Sequence, residues 1–98
     1  MLSVRLTQEF QDWLDALPDR RGQIRIAARL RQAESGNLGD WKTVGDEVSE
    51  MRVDVGPGYR LYFTRRKNVL IVMLAGGDKS TQTRDIQRAK RILGQLEL

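Results

Sequence analysis

Histidine and cysteine are both missing from this chain of 98 residues, and each absence closes off chemistry. Without cysteine there can be no disulfides and no thiolate metal ligands, so a reducing cytoplasm is the simplest location. Without histidine the commonest metal ligand and the usual proton shuttle near neutral pH are gone too. No metal and no other cofactor is therefore expected. Proline is scarce, at two residues, and aromatics are few, at 6%. No apolar run approaches the roughly 18 residues of a membrane span, and no signal-peptide pattern opens the chain, so no membrane partner is expected. What is present suits one globular domain over residues 1–98, with 40% apolar content and a single modest core.

The charge is uneven. The net is +4; residues 1–49 carry 7 Lys/Arg against 8 Asp/Glu, whereas residues 50–98 carry 10 against 5. A basic second half fits contact with a polyanion such as RNA.

The segment from Val48 to Phe63 carries the clearest pattern. Two alternating strands, about 47–55 and 59–66, flank Gly56-Pro57-Gly58. A three-residue loop pairs Val55 with Tyr59, Asp54 with Arg60, Val53 with Leu61, Arg52 with Tyr62 and Met51 with Phe63. Met51, Val53, Val55, Tyr59, Leu61 and Phe63 then share a core-facing side. Glu50, Arg52, Asp54, Arg60, Tyr62 and Thr64 share the other, which is expected to be the open, functional face.

The rest of the chain alternates readable elements and turns. Leu2, Val4 and Leu6 mark a short strand. Thr7 caps a helix to about Leu17, with Phe10, Trp13, Leu14 and Leu17 in one stripe. Pro18 ends it, and Asp19 caps a second helix over roughly 20–35 with Ile26, Ala27, Leu30 and Ala33 inward. Its arginines Arg20, Arg21, Arg25 and Arg29 read as a solvated face, with a ribosomal-RNA contact as the alternative, and Trp13 and Trp41 as packing residues. Residues 37–47 are loop-like, although Trp41–Val44 can pair as a short strand. Val69–Leu74 is apolar on both faces, which implies an internal or helix-covered strand. Gly76-Gly77-Asp78-Lys79 reads as a flexible loop. Ser80 or Thr81 then caps a last helix to about Gly94, with Ile86, Ala89, Leu93 and Leu96 on one side and Arg84, Arg88 and Arg91 on the other.

This layout resembles the RelE/ParE superfamily of bacterial toxins, most closely the addiction-module killer branch related to HigB. The resemblance spans nearly the whole chain. It is sharpest in Ser49-Glu50-Met51-Arg52-Val53-Asp54 through Gly56-Pro57-Gly58-Tyr59-Arg60-Leu61-Tyr62-Phe63, and in Gly76-Gly77-Asp78-Lys79-Ser80-Thr81-Gln82 through Asp85-Ile86. It implies an α+β fold: an N-terminal strand and helical hairpin packed on an antiparallel sheet of about four to five strands, with a C-terminal helix. It further implies the toxin of a type II toxin–antitoxin pair, a ribosome-dependent, metal-independent endoribonuclease that cuts mRNA and arrests translation. The alternative is a ParE-like inhibitor of DNA gyrase without nuclease activity. The implied partners are a cognate helix-turn-helix antitoxin, the ribosome with its mRNA, and operator DNA only through the antitoxin.

Metal-free RNA cleavage needs a base for the 2′-hydroxyl, cations for the charge building on phosphorus, and an acid for the 5′-oxygen. Lacking histidine, the chain offers Arg52 and Arg60 as a phosphate clamp, Tyr62 to stack or donate, and Lys79 for proton transfer or phosphate binding. Arg65, Arg66, Lys67 and Gln82 are expected to anchor RNA, with Glu50, Asp54 and Asp78 orienting the cations. The histidine of the HigB-type site has no counterpart here, and no tyrosine follows Tyr62. Either Lys79 and its neighbours substitute, or catalysis is weak or absent.

Overall fold

A computed structural model describes residues 2–97. In chain order it contains β1 (Ser3–Leu6), α1 (Gln8–Asp15), α2 (Arg20–Glu34), β2 (Trp41–Gly45), β3 (Val48–Val53), β4 (Tyr59–Arg66), β5 (Leu70–Asp78), a 3-10 turn at Lys79–Thr81, and α3 (Gln82–Gln95). The strands form one sheet in the order β1-β5-β4-β3-β2. It is antiparallel from β5 to β2, while β1 joins β5 in parallel, Ser3 opposite Leu70 and Leu6 opposite Met73. The α+β expectation holds, with that one strand making the sheet mixed.

Two of the three helix caps expected from sequence form, while Thr81 heads α3 without a side-chain cap because its hydroxyl donates to Asp85 instead. The Thr7 hydroxyl accepts the Phe10 N–H at 3.1 Å, and Asp19 Oδ1 accepts the Gly22 N–H at 3.1 Å. The α1 and α2 stripes cover one side of the sheet, where Phe10, Ile26, Met51, Val53, Leu61, Phe63, Ile71 and Met73 make the larger core. Here β4 alternates as strands do, and β5 does so up to its bulge, sending every second side chain to this side.

The other side is not open. Helix α3 lies across it and builds a second core with Val48, Tyr62, Val72, Leu74, Ala75, Ala89 and Ile92. The physical cause is β5: its apolar residues on both faces need two covers, and α3 supplies the second. A bulge strengthens this, since Tyr62 pairs with Ala75 and Phe63 with Met73, so the extra residue, Leu74, shares the α3 side with Ala75.

The β3–β4 register also differs from expectation. Val53 pairs with Tyr59, Arg52 with Arg60, Met51 with Leu61 and Glu50 with Tyr62. The connection is therefore five residues, 54–58, rather than three. Gly56 (φ 56°) and Gly58 (φ 82°) are both left-handed, flanking a proline, whereas a three-residue loop accommodates one such position. Because the slip is two residues, every side chain keeps its face.

The predicted loop at Gly76-Gly77-Asp78 is strand. These glycines allow close approach rather than flexibility. A Cβ on Gly76 would sit 2.2 Å from the Trp13 ring, and one on Gly77 would sit 1.8 Å from Asp85 Oδ2. The sheet is thus pressed bare between α1 and α3 at this point.

Candidate functional site

Charged side chains converge where the N-terminal end of α3 meets the tip of the β3–β4 hairpin. Arg52 and Arg60 are cross-strand neighbours, and Glu50 lies one step inward on the same side. Glu50 is fully buried, with Oε1 3.4 Å from Arg52 Nε and 3.9 Å from Arg60 Nε. Its Oε2 accepts the Gln82 amide at 2.6 Å, which ties α3 to β3. Arg60 is itself 7% exposed, and its Nη1 donates to the Tyr59 carbonyl at 3.1 Å. Arg52 keeps about a third of its side chain in solvent.

Lys79 stands beside this group on the 3-10 turn. The turn is capped by Asp78, whose carboxylate accepts from the Ser80 hydroxyl and, at 2.8 Å, from the Ser80 N–H, bonds that in that order hold it below the ordinary carboxylate range. The Lys79 N–H donates to the Gly58 carbonyl at 2.9 Å. A point one methyl above Gly58 lies 3.2 Å from Lys79 Cδ and 3.7 Å from Arg60 Nη1, so the two cationic side chains meet over the glycine turn. Two hollows open here. One of about 460 Å³ runs along Lys79, Ser80, Thr81, Gln82, Thr83 and Arg84; the other, about 340 Å³, lies between Asp54, Pro57, Gly58 and Lys79.

The structure thus brings Arg52, Arg60, Lys79, Gln82 and Glu50 together. It removes Tyr62 from any surface role. Tyr62 is fully buried under α3, so it cannot stack on a base, and burial followed by the nearby Glu50 and Asp85 charges pushes its phenol up. Asp54 was expected to face Arg60; the register places it in the exposed connection instead. Asp78 positions Lys79 by capping its turn rather than orienting an arginine. Gln82 is committed to Glu50 by its amide, so its first task is structural. Arg65, Arg66 and Lys67 sit at the far end of β4 from Arg60, a distance of about 20 Å at the rise of a strand. Arg66 pairs there with Glu47 at 2.9 Å, and Arg65 borders a hollow beside Trp41.

Three residues escaped the sequence reading. Asp85 is 1% exposed, bonded to the Thr81 hydroxyl and flanked by Arg84 and Arg88. The signal was present, because Asp85 precedes Ala89 and Ile92 by four and seven residues and so lies on the buried stripe. Arg88, placed by its spacing on the side of α3 opposite the apolar stripe, turns inward and donates to the Gly76 carbonyl at 2.9 Å. Tyr59 donates its hydroxyl to Asp19 Oδ2 at 2.6 Å, clasping the α2 N-terminus to the hairpin tip.

That clasp predicts a pH dependence. Burial, then the bond to Asp19, pushes the Tyr59 phenol up to about 12, and the same bond is the main cause holding Asp19 below its ordinary 3.8. A raised phenol contributes stability that is complete below pH ~10 and lost as pH climbs through the folded value; the lowered carboxylate contributes stability lost on acidification. Urea denaturation at about pH 8 and about pH 11 should show a clear alkaline loss for the wild type and a smaller one for Tyr59→Phe. Tyr62 supplies the remainder. An equal loss in both proteins would remove the clasp as its source.

The structure therefore defines a small α+β protein with helices on both sides of a mixed sheet and a basic cleft at the junction of α3 and the β3–β4 hairpin. The family model of the phage-derived Gp49-like proteins (DUF891) matches residues 12–94, and the chain belongs to that family, which is toxin-like and related to RelE. A similar chain from Haemophilus influenzae, described as an uncharacterized protein, is 41% identical over 97 residues, covering 99% of this chain and 98% of that one. Among the described residues no helix is long and apolar enough to cross a membrane.

Proposed function

We propose that the chain is the toxin of a type II toxin–antitoxin pair, of the HigB-like branch, and that it cleaves mRNA on the ribosome in the cleft beside Lys79. The observation that carries this reading is the meeting of Arg60 and Lys79 over Gly58, with Arg52 across the strand from Arg60 and an open hollow at the head of α3. Two guanidinium groups anchored by a buried carboxylate are preorganised to receive a phosphate, and they hold their positive charge when charge develops on phosphorus. The ribose 2′-hydroxyl loses its proton to solvent water as its oxygen attacks phosphorus, the bond to the 5′-oxygen breaks, and the Lys79 ammonium gives that oxygen its proton. Glu50 serves as the anchor. The reacting centre thus moves from the sheet face, which α3 covers, to the rim of that face.

The burial of Tyr62 and Glu50 favours one competing reading. With both withdrawn from solvent, the cleft has fewer proton-transfer groups, as a ParE-like binding protein that inhibits gyrase would have. The two readings separate on induction in cells. The nuclease stops translation and leaves cuts within translated messages, and Arg52→Gln or Lys79→Gln lowers cleavage by about 10²–10³-fold while the protein stays folded. Intact messages with failed supercoiling would transfer the function to gyrase. A cognate helix-turn-helix antitoxin remains the expected partner, tested by co-purification with the product of the adjoining reading frame.

A further inference from the structure

Helix α2 holds five arginines against one glutamate, a net of +4. The whole chain also has a net of +4, from 17 basic and 13 acidic residues, so the other 83 residues carry twelve of each sign. The molecule's excess charge is the charge of one helix. Of the five, Arg29 is occupied: its guanidinium donates to the Arg52 carbonyl and, at 3.1 Å, to the Leu38 carbonyl. Arg20, Arg21, Arg25 and Arg31 are exposed, and among the described residues none of them forms an ion pair.

Their placement is regular. At 3.6 residues per turn the four fall within an arc of about 140°, opposite Ile26, Leu30 and Ala33, and span about 16 Å along the axis. Ile26, Leu30 and Ala33 of α2 are spent on the core, and Ile24, exposed within the arginine row, is too small an apolar area by itself to sink the helix into a lipid surface. A row of unpaired guanidinium groups on a rigid helix matches the repeated phosphates of a nucleic-acid backbone, each able to take a bidentate contact. The helix is also in line with the cleft. Its N-cap, Asp19, is bonded to Tyr59 at the hairpin tip whose Gly58 carbonyl holds the Lys79 N–H, so the head of α2 and the Lys79 turn are tied to the same hairpin tip.

We infer that the α2 arginine face is a docking surface for the phosphate backbone of base-paired RNA, separate from the cleft and independent of sequence. The inference rests on the RNA-directed reading of the cleft and adds the surface that would hold the protein on a structured RNA. The test uses the full chain and a fluorescein-labelled base-paired RNA stem, with affinity followed by anisotropy across a salt series. The variant replaces Arg20, Arg21, Arg25 and Arg31 with Gln; all four are exposed, and matched thermal melts check that the fold is intact. Losing four phosphate contacts should weaken stem binding by roughly tenfold or more and flatten the slope of log affinity against log salt by about 3 units. Arg52→Gln should change that slope by no more than about 1.

Stem affinity and slope left unmoved by the four substitutions overturn the inference, including the case in which α2 serves an acidic protein instead. The two readings fail separately. Cleavage of messages with an unchanged slope removes the α2 surface alone, whereas a flattened slope with no cleavage by any form supports the surface and removes the nuclease.

Discussion

Glu50→Ala is expected to lower the free energy of unfolding by about 3–5 kcal/mol, the cost of leaving a buried charge without its partner. Glu50 has no exposed surface, and Arg60 is nearly as enclosed. Removing the carboxylate strands the Arg60 guanidinium, deprives the Gln82 amide of its 2.6 Å acceptor, and releases Arg52 from its 3.4 Å contact. The loss is a large part of the roughly 5–15 kcal/mol that holds a domain of this kind. Urea denaturation measures it directly. Adding Arg60→Met to Glu50→Ala should recover a substantial share, because the double variant no longer buries a lone cation. A single-variant cost below about 1 kcal/mol would mean that the carboxylate does not secure the arginines. The anchored clamp would then fail with it.

Gly76→Ala should be nearly as damaging, for a different reason. The added methyl would lie 2.2, 2.4 and 2.5 Å from three carbons of the Trp13 ring. That ring is held on two sides, packing against Phe10 at 5.6 Å and against Tyr59 at 6.1 Å between centroids. Overpacking of this kind costs typically 1–3 kcal/mol, and a rigid aromatic wall places it at or above the upper end. In a thermal melt a loss of about 3 kcal/mol lowers Tm by roughly 12–24 °C for a domain of this length. Trp13→Leu on top of Gly76→Ala should restore part of the loss by clearing the space. A melt for Gly76→Ala within a few degrees of wild type would show that α1 is free to shift.

Much of the fold was legible because its signals are local. The Thr7 and Asp19 caps, the stripes of α1 and α2, and the two-faced β5 each follow from residue type and spacing within a few positions. The site was legible only in part. Arg52, Arg60 and Lys79 were singled out individually, but the cover over their sheet face depends on how far α3 leans, which no local pattern encodes. The glycines at 76 and 77 misled for a related reason. Glycine marks both flexible loops and places where two elements touch, and only Trp13 and Asp85, 63 and 8 residues away, decide between them. The hairpin register turned on a second left-handed glycine. Its faces survived because strand alternation is insensitive to a two-residue slip.

The parallel pairing of β1 with β5 carries a consequence for how the polypeptide is made. The Thr7 hydroxyl bonds the Leu74 carbonyl, a contact 67 residues apart in the chain, and β5 is the last strand to be synthesised yet lies between β1 and β4. While a nascent chain still lacks those residues, the first strand has no neighbour and neither hydrophobic layer can close. Such distant closure is slow compared with hairpin or helix formation. Lys79 and the head of α3 come later still, so the basic cleft cannot form until β5 and the residues that follow it have joined the chain.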